Sequence, residues 1–139
     1  MLLAVCCALA GCATSPAQRD ADRRALYGAH AGAPVDGFRY YGSISGWTPL
    51  GEEALAVWSR PGEAWLLELA GPCPDLDYAR AITLTNTFGK VSARFDKVLV
   101  LGRSAIDIPC VIRQIRPLDV KAIRQAERDA RAATQASGT

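Results

Sequence analysis

Ala54-Leu55-Ala56-Val57-Trp58-Ser59-Arg60-Pro61-Gly62-Glu63-Ala64-Trp65-Leu66-Leu67-Glu68-Leu69-Ala70 sets the fold class of this 139-residue chain. Leu55 and Val57 fall on one face of its first half, and Trp65, Leu67 and Leu69 share a face of its second half. Alternation with period two is the mark of a strand buried on one side. Arg60-Pro61-Gly62 stands between the halves, and Pro followed by Gly is turn chemistry of the kind that joins hairpin strands. Two antiparallel strands, 54–59 and 64–70, are predicted.

Outward from that hairpin the pattern repeats. Phe38 to Ile44 alternates, with Phe38, Tyr40 and Ile44 together. Gly71-Pro72-Cys73-Pro74 stops the second hairpin strand, and Asp75 to Arg80 reads as one helical turn opened by Pro74 and Asp75. Ile82-Thr83-Leu84-Thr85 is a half-buried strand with its threonines outward, and Phe88-Gly89 marks a turn. Val98 to Leu101 is apolar on both faces, as a central strand is, and Cys110 to Arg116 is the last strand. Pro117 and Asp119 then open a helix to about Ala133. Lys121, Arg124, Arg128 and Arg131 recur there at three- and four-residue steps, while Ile123 and alanines make a thin apolar stripe. Such a helix is predicted to pack weakly. The expected fold is mainly β (α+β), an antiparallel sheet or small barrel of about six strands with a C-terminal helix.

The chain divides into a leader over residues 1–11, a flexible tether over 12–36 with room for a short helix around Ala21 to Tyr27, a β domain over 37–119 and a basic helix and tail over 120–139. The leader, MLLAVCCALAG, is uncharged and apolar. Eleven helical residues cover roughly half of a ~30 Å hydrocarbon core, too little to span it, but they suit the apolar region of a signal peptide. Its end, Leu9-Ala10-Gly11-Cys12, resembles the lipobox of bacterial lipoproteins. There the cysteine thiol receives a diacylglycerol group, and small residues before it admit the peptidase. Cys12 is therefore the expected lipid attachment site and mature N-terminus. Ala13 follows where Asp would signal inner-membrane retention, which points to the outer membrane's inner leaflet, facing the periplasm. No Lys or Arg precedes Leu2, so the expected start codon lies upstream.

A formal net charge of +2 is too small to imply nucleic acid. Its distribution is uneven: Cys12 to Gly89 carries six Arg against nine acids, and Lys90 to the end carries ten Lys or Arg against five. Of five cysteines, Cys6 and Cys7 lie in the leader and Cys12 follows it, which leaves Cys73 and Cys110 in the body. Each falls at a strand edge. A catalytic dithiol normally keeps its cysteines close in sequence, and a metal site needs further thiol or imidazole ligands, whereas the single histidine, His30, lies in the expected tether. A structural disulfide in an oxidising compartment is the expectation, with the other two as rivals.

Catalytic patterns are sparse. Gly42-Ser43-Ile44-Ser45-Gly46 has Ile where a nucleophile elbow needs serine. Glu52-Glu53 and Asp75-Asp77 could act as acid and base, but surface turn acids are the simpler reading. No cofactor or metal is expected. Aromatics crowd the first half of the body, and alternation turns some of them outward: with Leu55 and Val57 inward, Trp58 points the other way. Tyr41, Trp47 and Trp58 are the candidate ligand contacts, able to stack on sugars or grip a peptide beside Arg39 or Arg60; the competing role is packing.

Trp65-Leu66-Leu67-Glu68-Leu69-Ala70-Gly71-Pro72-Cys73-Pro74-Asp75-Leu76, Ala81-Ile82-Thr83-Leu84-Thr85, Phe95-Asp96-Lys97-Val98 and Cys110-Val111-Ile112-Arg113-Gln114-Ile115-Arg116-Pro117-Leu118-Asp119 carry a resemblance. They are similar to a domain-of-unknown-function family of small proteobacterial lipoproteins, over roughly Phe38 to Asp119 plus the lipobox. The resemblance implies the address and a disulfide, and no activity. The expected function is that of a non-enzymatic, membrane-anchored domain that binds an envelope protein or supports the envelope. A carbohydrate- or peptide-binding module is the first alternative, and a carboxylate-dependent enzyme the second.

Overall fold

The computed structural model describes residues 14–102 and 108–138. Six strands form one antiparallel sheet in the order β2 (Gly46–Pro49), β3 (Ala54–Arg60), β4 (Glu63–Leu69), β8 (Pro109–Leu118), β7 (Lys97–Leu101), β5 (Ala81–Leu84). A second, two-stranded ribbon pairs β1 (Gly37–Arg39) with β6 (Lys90–Ser92). Two helices, α1 (Pro16–Ala29) and α2 (Val120–Ser137), complete the domain, and Leu76–Tyr78 is a single 3-10 turn. The mainly β reading holds, and the six-stranded sheet is a half-barrel. β2 and β6 are additions to the sequence prediction, and the strand expected over 38–44 pairs only as far as Arg39.

β3 explains why the sheet has two cores. All of Ala54 to Val57 is buried. Leu55 and Val57 enter a large core with Leu67, Leu69, Ile112, Ile115, Val98 and the ribbon's Phe38 and Val91. Ala54 and Ala56 face the other way, into a smaller core with Leu66, Leu50, Tyr27 of α1 and Ile123 of α2. Alanines on that face let two helices approach the backbone closely.

β8 is the organising strand. Leu118 to Ile112 pairs with β4 on one edge. Its other edge is shared: Pro109 to Val111 pairs with β7, Arg94 donates its N–H to the Ile112 carbonyl at 2.6 Å, and Val35 and Gly32 donate theirs to Ile115 and Pro117 at 2.9 and 2.8 Å. Buried backbone groups must find such partners, and here nearly the whole edge is occupied. Arg116 adds side-chain bonds to the carbonyls of Gly32 and Ala31.

These contacts correct the expected tether. Ser15 caps α1 by accepting the Gln18 N–H, Pro16 occupies the first turn, and the helix buries Tyr27. Residues 31–35 are then stitched to β8. The segment's polar, Ala-rich composition suggests a tether; one buried tyrosine and backbone pairing with a distant strand decide otherwise. α2 also departs from the reading. Its last turns are exposed, but Val120 and Ile123 are buried against the sheet, so its thin stripe is a seam.

Candidate functional site

Cys73 and Cys110 are bonded, with Cα atoms 5.7 Å apart, and both are buried in the larger core. The bond ties the turn after β4 to the start of β8 and has no exposed sulfur chemistry. The expected lipid site, Cys12, lies outside the described residues.

The three candidate aromatics separate. Trp58 does point away from Leu55 and Val57, but that side is covered by α1, and its ring meets Tyr27 edge-on with centroids 6.3 Å apart. Trp47 opposes Val57 and packs on the larger core. Both are packing residues. Tyr41 is 45 % exposed, with the Arg39 and Arg60 guanidinium carbons 5.5 and 4.8 Å from its ring centre.

Tyr41 shares a cleft with the Phe88-Gly89 turn, and Lys90 links that cleft to a second one lined by Arg94, Phe95 and Arg113. Thr87 and Lys90 exchange backbone hydrogen bonds, making Phe88-Gly89 a two-residue hairpin turn with both φ angles positive, 51° and 76°. That turn favours Asn-Gly, and Phe in the left-handed region is strained. The phenylalanine at the tip is fully exposed, at 105 % of its reference area. Phe95 is 81 % exposed and follows Arg94, which has φ 72°. Two bulges serve the same surface. β3 carries Ser59 as an extra residue opposite β4, just before Arg60. β8 carries Arg113 as an extra residue between Ile112 and Gln114, and it points to solvent. Bulges re-aim side chains, and strained backbone persists where the surroundings enforce it.

The ribbon is the floor of this surface. Arg39 stands directly opposite Lys90, both exposed, while Phe38 and Val91 point into the core. Gly37 sits opposite Ser92, where a Cβ would lie 2.3 Å from the Val91 carbonyl oxygen, so only glycine lets the strands meet. Asp96 is buried and fixes the strand behind: it accepts the Ser92 N–H at 2.7 Å and the Thr85 hydroxyl at 2.8 Å. Phe38 stacks on Trp65 at 5.2 Å, Trp65 donates to Ser59, and Ser59 donates to Glu63. Hydrogen bonds from Arg60 and then Ser59 hold Glu63 below the usual carboxylate range, and the same bond raises Arg60.

Two clefts flank Lys90. One, of about 600 Å³, runs past Asp36, Arg94, Phe95 and Arg113; the other, of about 500 Å³, past Arg39, Tyr41 and Phe88. Among the described residues, Arg39, Lys90, Arg94 and Arg113 have no carboxylate partner. The result is an aromatic and cationic surface with chemistry for binding anions and flat rings.

The carboxyl pairs split, and one member of each comes together: Glu52 lies close enough to Asp77 to act on its charge. Glu53 pairs with Arg24 at 3.8 Å, and Asp75 precedes the 3-10 turn with φ 64° and makes no side-chain capping bond to it. Asp77 is raised above the ordinary range, by burial first and then by the charges of Asp20 and Glu52. Among the described residues no group of three His, Cys, Asp or Glu is placed to hold a metal ion, and no helix is long and apolar enough to cross a membrane.

A family model for a family of unknown function, DUF6491, matches residues 1–134. The chain belongs to DUF6491. No curated protein and no solved structure matches it. The DUF6491 match runs from residue 1 through α1 and most of α2, more than the stretch from Phe38 to Asp119 and the lipobox-like residues that carry the resemblance. Both helices therefore belong to the DUF6491 domain.

Proposed function

We propose that this DUF6491 protein is a lipid-anchored, non-enzymatic binding domain of the bacterial envelope, held through Cys12 on the outer membrane's inner leaflet, and that the ribbon surface is where it binds. The observation that carries the binding role is the surface itself. Strained turns at Phe88 and Arg94 and bulges at Ser59 and Arg113 converge on one face and present rings and cations that do nothing for the core. Exposed aromatics beside charges are the usual anchors of a recognition surface.

The address is supported by the lipobox-like Leu9-Ala10-Gly11-Cys12 and by a buried disulfide, which suits an oxidising compartment. α1 opens at Pro16, four residues past Cys12. Fully extended, those residues reach about 14 Å, so the anchored domain would ride against the bilayer instead of on a long leash.

Mass spectrometry of membrane-extracted protein should find acyl groups on Cys12, and Cys12→Ser should release the chain from membranes. A photo-crosslinker at position 88 should capture an envelope component, and one at Trp58 should not. Processed, membrane-bound Cys12→Ser protein would defeat the anchor, and equal capture from both positions would defeat the surface.

A further inference from the structure

We propose that the ribbon surface takes a segment of acidic glycan, laid along the two clefts with sugar rings against Phe88 and Phe95 and acid groups against Lys90, Arg39 and Arg113. This deepens the function above and rests on its assignment of the binding surface.

Charge gives the sign of the ligand. Among the described residues, the surface carries four cations without carboxylate partners, and Asp36 is the one acid lining either cleft. A cationic ligand would be repelled, and a neutral one would leave these charges unanswered. The rings give its shape. Phe88 and Phe95 offer flat apolar faces with no polar handle, so they recognise a ligand that itself has flat apolar faces, as the C–H side of a pyranose does. Tyr41 is already covered by Arg39 and Arg60, which fixes its ring as a wall of the second cleft.

Concavity separates a glycan from a bilayer. The clefts adjoin at Lys90 and offer about 600 and 500 Å³, together more than one sugar ring fills. A chain of rings with an acid at intervals suits such a pair of clefts. A flat head-group surface would meet the protruding phenylalanines first and leave the two clefts unfilled.

The test is titration of the full chain, extracted from membranes in detergent, with hexagalacturonate as the probe, maltohexaose as its neutral counterpart and oligothymidylate as a flexible polyanion. Hexagalacturonate should bind, with an affinity that falls as salt is raised. Phe88→Ala and Phe95→Ala should each weaken it about fivefold without moving the melting temperature, as expected for the loss of one ring contact at an exposed position. Lys90→Gln and Arg113→Gln should weaken it similarly and flatten the salt dependence. Four results overturn the proposal. Equal binding of oligothymidylate means a generic polyanion surface, and equal binding of maltohexaose removes the role of charge. Sedimentation of a secreted Cys12→Ser chain with anionic vesicles, abolished by Phe88→Ala, would place a bilayer on this surface. Absence of hexagalacturonate binding, with an envelope protein crosslinked from position 88, would leave the ribbon as the binding surface and refute the glycan; absence of both would refute the surface as well.

Discussion

The phenolic hydroxyl of Tyr27 donates to the Glu127 carboxylate across 3.2 Å, joining residues 100 positions apart and clamping α1 to α2. Burial, then the charge and hydrogen bond of Glu127, push the Tyr27 pKa up to about 12. The folded state therefore holds this proton more tightly than the unfolded chain, whose tyrosine titrates near its ordinary value. Stability from this site is complete below about pH 10 and is lost as pH rises towards 12. Urea midpoints measured across that window should fall for the natural chain and fall less for Tyr27→Phe. Parallel profiles would show that the pair does not sense pH.

The seam under α2 gives a contrast within one helix. Ile123→Ala removes a fully buried side chain and should cost about 3 kcal/mol by denaturant titration. Residues 131–138 are exposed, and deleting from Arg131 onward should shift the melting temperature by no more than a few degrees. Deleting from Lys121 onward takes Ile123 and Glu127 as well and should leave no cooperative transition near the original temperature. Similar outcomes for the two deletions would mean that α2 is peripheral throughout.

Loss of the disulfide should be costly. With its cysteines 37 positions apart, the chain-entropy relation gives about 4 kcal/mol for the Cys73–Cys110 bond. A Cys73→Ala, Cys110→Ala variant should lose that much by urea titration, and thiol labelling of the unfolded, unreduced chain should leave the peptides of both cysteines unmodified.

Asp96 offers a test of the floor beneath the site. Asp96→Ala removes the acceptor of the Ser92 N–H and the Thr85 hydroxyl and should cost about 3 kcal/mol, since hydrogen bonds to a charged group are the stronger kind. Amide exchange should rise first in β6. Uniform acceleration through β3 and β4 would show that Asp96 supports the whole sheet instead of the ribbon.

Much of the sheet could be read locally. Leu55 with Val57, and Trp65 with Leu67 and Leu69, declare a buried face through alternation, and that face is the larger core. The smaller core could not be read, because Ala54 and Ala56 are equally at home under a helix or in water. Of α1 the sequence suggests only a short helix around Ala21 to Tyr27, because its one fully buried residue, Tyr27, gives no periodicity. β2 and β6 are four and three residues long, and β6 exists only through pairing with a strand some fifty residues earlier. Cys73 and Cys110 were legible by elimination. Of the site, Tyr41 with Arg39 and Arg60 could be seen, whereas Phe88 and Phe95 could not. Whether a ring in a turn points in or out depends on φ, and nothing in Phe88-Gly89 announces that both residues are left-handed.

The strand at the middle of the sheet is the last one in the chain. β2, β3 and β4 can form a meander from neighbouring residues, but β7 and the 31–35 segment pair through β8, and the disulfide needs Cys110. A chain emerging N-terminus first from a ribosome or a membrane pore therefore has a meander with an open edge on β4 until residue 118 appears. Closure joins residues 64–69 to 112–118, a long loop to shut, which favours slow, late folding. Until then the exposed edge of β4 is open to other strands, so the most vulnerable moment in this protein's life is the interval before its final thirty residues arrive.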